Sequence, residues 1–214
     1  MLLFLIVLFP ISILFFFLSR KESGSSLLTV FIGFFTAAIL RAYKTFFSSS
    51  YHLPVLSFFG IFSYMFFTQI FLPITILFVL FCILTRKDTI AYRFANFFPL
   101  MTGFYSVYLP YITLNTELPY SFYHIFIKPL LFLAMLYLVS CLLRKILEDI
   151  VQEKKSKKIF RDGVLILLAM MIPALVEVLW VMKTLGIVWA IITLAYLLFV
   201  FSVFKLSLSN TKRV

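Results

Sequence analysis

The chain has 214 residues, of which 64% are hydrophobic and only 13% are charged. Soluble domains average about a quarter charged residues, so this composition excludes an ordinary soluble domain and leaves no polar stretch for a second folded domain. The net charge of +11 could suggest nucleic acid, but no aromatic platform or nucleic-acid fold accompanies it. We therefore expect residues 1–214 to form one all-α, polytopic membrane bundle that contacts the lipid bilayer and no nucleic acid.

Seven apolar segments approach the length of about 20 residues that crosses a bilayer as a helix. The first has neither the basic start nor the small-residue cleavage site of a signal peptide, so we expect it to be retained. The third contains Pro73 and predicts either one kinked helix or a re-entrant piece, and Pro99 and Pro110 divide the fourth. Six spans are the alternative to seven. The segments lie at about 2–18, 27–43, 57–85, 90–112, 121–143, 164–182 and 186–204.

The second segment carries small residues four apart, Gly33 and Ala37, and then Ala38 and Ala42. This spacing lets two helix backbones approach closely in a membrane. It favours close packing inside the bundle or docking to another membrane subunit, and the sequence alone does not choose between them.

Basic residues give the predicted orientation, because cytoplasmic loops collect Lys and Arg. With seven spans and a cytoplasmic 144–163 connection, the amino terminus lies outside and the carboxyl terminus inside the cytoplasmic (inner) membrane. Three basic residues, Arg41, Lys44 and Lys183, then fall outside, and Lys128 lies within the membrane. Fifteen of the 19 fall inside: Arg20, Lys21, Arg86, Lys87, Arg93, Arg144, Lys145, Lys154, Lys155, Lys157, Lys158, Arg161, Lys205, Lys212 and Arg213.

The 144–163 connection is amphipathic and then basic. Apolar residues recur at helical spacing from Leu142 to Val151, which predicts that the fifth helix runs past the membrane as a stalk. The basic run that follows is expected to touch anionic lipid headgroups or to bind a cytoplasmic partner subunit. That run consists of Lys154, Lys155, Lys157 and Lys158.

A lysine and a glutamate lie within the predicted membrane region. Lys128 is about 12 Å from the outer end of the fifth span, and Glu177 is about 9 Å from the outer end of the sixth, at 1.5 Å per residue. Consecutive helices are usually neighbours, so the two side chains are expected to pair. A membrane charge costs about 2.5–3.5 kcal/mol on insertion scales, and pairing would offset much of that.

Prolines and further polar residues accompany this pair. Pro129 follows Lys128 and Pro173 precedes Glu177 by one turn, and interrupted helices with polar groups are common at transporter binding sites. His124 lies one turn outward of Lys128, and Tyr105 and Tyr108 would line an outer vestibule or belong to an interfacial aromatic belt. The candidate substrate-binding residues are Lys128, Glu177, His124, Tyr105 and Tyr108.

Three function hypotheses follow. The first is a transporter, or the membrane subunit of a transport complex, for a small polar or anionic solute. The second is a non-transporting scaffold that recruits a partner through the basic loop. The third is an intramembrane enzyme acting on lipid with His124 as base. The sequence contains no P-loop, GxGxxG, HExxH or GxSxG motif, so we expect no cofactor. His52, His124 and Glu117 could supply a metal site only from distant positions, because no local ligand spacing supports one.

Overall fold

The computed structural model describes residues 26–47, 57–86, 90–114, 120–151, 156–183 and 186–211. Within these ranges the chain is helical, apart from short turns. A π-helical stretch, Phe66–Phe71, interrupts the second helix, and a π-helical turn, Tyr123–Ile127, begins the fourth. The helices are α1 (Ser26–Phe47), α2 (Phe58–Leu84), α3 (Ile90–Leu114), α4 (Tyr123–Ile127 continuing as Lys128–Val151), α5 (Ser156–Val181) and α6 (Gly186–Thr211).

Four of these helices are long and apolar enough to cross a membrane, namely α2, α4, α5 and α6. The predicted segment at 57–85 is one continuous helix, so the kinked-helix alternative agrees with the structure better than the re-entrant one. Pro99 and Pro110 lie inside α3 without dividing it, contrary to expectation. The predicted span at 2–18 lies outside the described residues, so the count of seven spans stays a prediction.

Consecutive helices run in opposite directions. In α2 and α3, Gln69 contacts Tyr105 and Phe78 contacts Phe97, so residue numbers rise along one helix as they fall along the other. Similar contacts set α4 antiparallel to α3 and α6 antiparallel to α5. The six helices therefore alternate up and down, as the predicted threading requires for its last six segments.

Helices α1 and α3 are parallel and cross at two glycines. A Cβ added at Gly33 would lie 2.3 Å from the carbonyl oxygen of Leu100, and one at Gly103 would lie 2.3 Å from that of Val30. Further along both helices, the Arg41 guanidinium sits 4.5 Å from the centre of the Tyr111 ring. Gly33 and the buried Ala37 thus serve packing within the bundle, one of the two predicted uses, whereas Ala38 and Ala42 are exposed.

Apolar side chains cover the outside of the bundle as well as its core. The core contains Phe97, Phe104, Phe132 and Met135, which are almost fully buried. On the opposite side of α1, a stripe of large apolar residues is more than half exposed, consisting of Leu28, Phe31, Phe35, Ile39 and Tyr43. A helix that is apolar on several faces needs an apolar environment on each of them.

An ion pair joins α4 to α5 towards each end of the helix pair. Lys128 contacts Glu177 at one end, which we call the Trp180 end of the bundle. At the other, the Asp162 end, Lys145 Nζ lies 2.8 Å from Oδ2 of the fully buried Asp162. Arg161 donates to the second oxygen of Asp162 at 3.0 Å. Helix α4 continues to Val151, as the predicted stalk does, and the pair at Asp162 holds that extension against the start of α5.

Candidate functional site

The candidate site is a buried ion pair between the two helices that the sequence predicts to be neighbours. Lys128 Nζ lies 2.5 Å from Glu177 Oε1. The side chains are 1% and 3% exposed, so water solvates neither charge appreciably. The sequence predicts that both residues lie at nearly the same depth, and the structure brings them into direct contact. A buried charge is tolerated in a protein when it is paired and hydrogen-bonded. Lys128 and Glu177 each provide this pairing for the other.

Gln69 of α2 completes the site as a third member. Its Oε1 accepts a hydrogen bond of 3.3 Å from Lys128 Nζ, and its side chain is almost buried. The ammonium thus has one charged and one neutral acceptor from two different helices. In the sequence Gln69 is an isolated polar residue expected to bond between helices, and nothing there links it to Lys128, 59 positions away. Its position four residues before Pro73 is the one signal in the sequence, because Lys128 and Glu177 also lie within one helical turn of a proline.

The backbone around Gln69 explains where Tyr105 and Tyr108 lie. The N–H of Leu72 bonds five residues back, to Phe67, and Pro73 has no N–H to offer. In the return from π to α geometry, the carbonyls of Thr68 and Gln69 therefore lose their helical donors. Tyr108 donates to the Thr68 oxygen at 3.1 Å, and Tyr105 donates to the Gln69 oxygen at 3.0 Å. Both predicted vestibule residues are buried and bonded to the backbone, so the structure gives them a supporting role beside the pair.

A proline also interrupts the hydrogen bonding of the other two helices of the site, after a π-helical turn in α4 and without one in α5. In α4 the N–H of Lys128 bonds five residues back, to Tyr123, and Pro129 follows at once. A π-helical turn widens the backbone ahead of a proline ring, which would otherwise clash with the carbonyl four residues before it. In α5, Pro173 withholds a donor from the Ala169 carbonyl, and Tyr196 of α6 donates to that oxygen at 3.2 Å. All three polar residues of the site thus lie beside interrupted helical hydrogen bonding.

His124 is buried one turn before Lys128, at the start of α4. Its Nδ1 lies 2.8 Å from the Ser121 hydroxyl, which also accepts from the His124 backbone N–H at 3.3 Å. These contacts cap the first turn of the helix. Next to it, Tyr123 stacks on Trp180 with ring centres 4.8 Å apart, and Trp189 packs edge-on against both rings. This aromatic cluster covers the pair at the Trp180 end.

The remaining predicted contact residues lie at the Asp162 end or outside the described ranges. Lys157 and Lys158 are exposed on the first turn of α5. Lys154, Lys155, His52 and Glu117 are outside the described residues. The roles predicted for them, in lipid or partner contact and in a metal site, stay predictions.

Comparisons with protein-family models, with curated proteins and with solved structures each gave no match. A primary ammonium, a carboxylate and an amide in a dry environment can bind an anion, hold or release a proton, or close on one another as a structural lock.

Proposed function

We propose that this protein is a multi-pass protein of the cytoplasmic membrane and a transport component for a small anionic solute. It acts as a transporter or as the membrane subunit of a transport complex, with its amino terminus outside and its carboxyl terminus inside. Lys128, Glu177 and Gln69 form the solute site in its closed state. His124 lies beside this site, and Tyr105 and Tyr108 support it by holding the interrupted backbone of α2.

The observation that carries this proposal is the convergence of three interrupted helices on one polar centre. Gln69 belongs to a π-helical stretch, Lys128 directly follows another, and Glu177 lies one turn beyond Pro173. π-Helical turns are rare and are frequently found at functional sites. Ionisable residues inside a membrane are rare and usually mark a solute or ion pathway. A bundle that needed stability alone would gain more from apolar residues at these three positions.

The depth of the site supports the same function. Lys128 and Lys145 are 17 residues apart on α4, which corresponds to about 25 Å along the helix. If the pair at Asp162 marks one membrane interface, Lys128 and Glu177 lie inside a hydrocarbon layer of about 30 Å, nearer its other surface. A solute arriving from the Trp180 end would meet Tyr123 and Trp180 before it met Lys128.

A scaffold that recruits a partner through its basic cytoplasmic loop is the second candidate. The closed state of the pair favours it, because Lys128 and Glu177 satisfy each other in a packed interior. In this case the pair fixes helix register, and Lys154, Lys155, Lys157 and Lys158 bind the partner or anionic lipid headgroups. The transport function requires the charges of Lys128 and Glu177, whereas the scaffold function requires only that the two positions pack in the bundle interior.

The double variant Lys128→Met/Glu177→Leu separates the two functions. A scaffold keeps its fold and its co-purifying partner, since a buried pair can be replaced by apolar residues of similar size at little cost. A transport component keeps its fold and loses flux. The measurement is the uptake of isotope-labelled chloride, nitrate, pyruvate or lactate by proteoliposomes, which detects electroneutral as well as electrogenic transport.

The matched control is Lys145→Met/Asp162→Asn, which removes the other lysine–carboxylate pair between α4 and α5. We expect uptake by the wild type and by this control, and none by the double variant at the site. Failure of the wild-type protein to take up any of the four anions would refute the proposed transport function. Equal uptake by all three proteins would show that Lys128 and Glu177 do not take part in transport.

A further inference from the structure

We propose that Glu177 is a built-in counter-anion, and that the solute is a small monocarboxylate that displaces it from Lys128 together with one proton. This inference rests on the proposed transport function and specifies the solute class and the coupling ion. The carboxylate of Glu177 occupies the position that the solute carboxylate would take.

The geometry around Lys128 leads to this solute class. Its ammonium contacts a carboxylate oxygen at 2.5 Å and an amide oxygen at 3.3 Å, both in a buried position. The group already bound most closely is thus a monocarboxylate on a short apolar stem. A free monocarboxylate presents the same oxygens to Lys128, and rotation of the Gln69 amide offers it an N–H donor.

Charge balance in the buried site requires that a proton binds together with the anion. Among the described residues, the titratable groups that interact with Glu177 are Lys128 and Tyr123 on α4. Gln69 of α2 contributes a neutral amide to Lys128, and Trp189 of α6 contributes an uncharged ring beyond Trp180. The closed pair has a net charge of zero. An anion added to it would leave one negative charge in excess in a dry site, which is strongly unfavourable. Protonation of Glu177 removes that excess.

Binding of the solute exchanges one carboxylate for another at Lys128. A proton adds to a carboxylate oxygen of Glu177, and the ion pair with Lys128 is broken. The solute carboxylate then pairs with the ammonium, so Lys128, neutral Glu177 and the bound anion again sum to zero. Release on the other side returns the proton and the anion together, and the pair between Lys128 and Glu177 re-forms. No oxidant, reductant or nucleotide takes part.

The wild-type protein tests this without any variant. In proteoliposomes loaded with pyranine, an inward gradient of pyruvate or lactate should drive proton uptake, and an imposed proton gradient should drive uptake of radiolabelled pyruvate. Because one proton accompanies one monoanion, the flux should not change when a potassium diffusion potential is imposed with valinomycin. A flux that follows the membrane potential, or pyruvate uptake without proton uptake, overturns the inference and leaves the transport function standing.

Two variants locate the coupling. Glu177→Gln should abolish proton-driven uptake while pyruvate–pyruvate exchange continues, because a neutral amide at 177 mimics the protonated acid. Lys128→Met should abolish both. Asp162→Asn and Lys145→Met are the matched controls and should behave as wild type. Proton-driven uptake that survives in Glu177→Gln overturns the inference, as does a chloride or nitrate flux as large as that of pyruvate.

Discussion

At the scale of single residues, the Lys128–Glu177 pair decides the energetics of the site. Removing one member leaves an unpaired buried charge, which typically costs about 3–5 kcal/mol, whereas replacing both with apolar residues is often neutral or stabilising by about 1–4 kcal/mol. We therefore predict that Lys128→Met and Glu177→Leu each lower thermal stability in detergent, and that the double variant recovers most of the loss. A double-mutant cycle on the unfolding temperature measures this coupling.

The exposed pair between Arg144 and Glu148 provides the control for this cycle. Its nitrogen and oxygen are 2.9 Å apart, but the side chains are 59% and 49% exposed. Pairs of this kind contribute about 0.3–0.5 kcal/mol, so Arg144→Gln should change stability little. Strictly additive effects of the substitutions at 128 and 177 would contradict the buried contact.

The sequence predicts two of the three polar residues of the site. The common depth of Lys128 and Glu177 follows from counting residues along two consecutive apolar segments. The position of Gln69 does not follow, because it depends on how α2 packs against α4, and neither periodicity nor charge fixes that. Nor could the sequence assign the hydroxyls of Tyr105 and Tyr108, because the carbonyls they bind become free only through the π-helical stretch.

At the scale of helices, tyrosines compensate for prolines across helix contacts. Tyr105 and Tyr108 bond the carbonyls that Pro73 and the π-helical stretch leave free. An unsatisfied buried carbonyl costs about 1–3 kcal/mol, so Tyr105→Phe should destabilise the protein by about that amount. Pro73→Ala restores a backbone N–H and should rescue part of the loss in the double variant. Thermal unfolding of the two single variants and the double variant measures the rescue.

Tyr111→Phe is the matched control for this test, because the described contact of Tyr111 is made through its ring, beneath Arg41. It should leave stability nearly unchanged. A Tyr105→Phe variant as stable as Tyr111→Phe would show that the hydroxyl is dispensable to α2. Absence of rescue by Pro73→Ala would instead place the effect outside the interrupted hydrogen bonding.

The crossing of α1 and α3 gives a second prediction at this scale. A methyl group at Gly33 would lie 2.3 Å from the Leu100 oxygen and 2.7 Å from the Phe104 nitrogen, both of which are backbone atoms that cannot rotate away. Overpacking costs about 1–3 kcal/mol even where side chains can adjust, so Gly33→Ala should lower stability by at least that much. Gly163→Ala is the control, since nothing lies within 4 Å of its added methyl. Equal unfolding temperatures for the two variants would contradict the close crossing.

At the scale of the molecule, alternation of apolar and basic segments was sufficient to predict the all-helical fold and the antiparallel order of α1 to α6. It could not predict the parallel contact of α1 with α3, because these helices are separated by α2 and only the glycines mark their crossing. The prediction that Pro99 and Pro110 divide α3 was wrong. A proline leaves a backbone carbonyl without its helical donor, but neighbouring groups can bond that carbonyl, and the helix then continues past the proline. A periodicity argument contains no information about those neighbours.

The arrangement of the whole bundle gives a prediction about the two membrane surfaces. Tyr120 and Lys183 are exposed at the Trp180 end, and Lys157 is exposed at the Asp162 end. In a background in which Cys82 and Cys141 are changed to serine, we expect a membrane-impermeant maleimide to label Tyr120→Cys and Lys183→Cys in intact cells. Lys157→Cys should react only after permeabilisation, because basic ends remain cytoplasmic.

The pattern of labelling distinguishes two kinds of error. Labelling of Lys157→Cys alone in intact cells would show that the orientation is opposite to the predicted one. The solute would then reach Lys128 and Glu177 from the cytoplasm. Labelling of all three positions from outside would contradict the alternation itself. That result would leave the pair between α4 and α5 without a defined depth in the membrane, and the site would no longer be accessible from one side only.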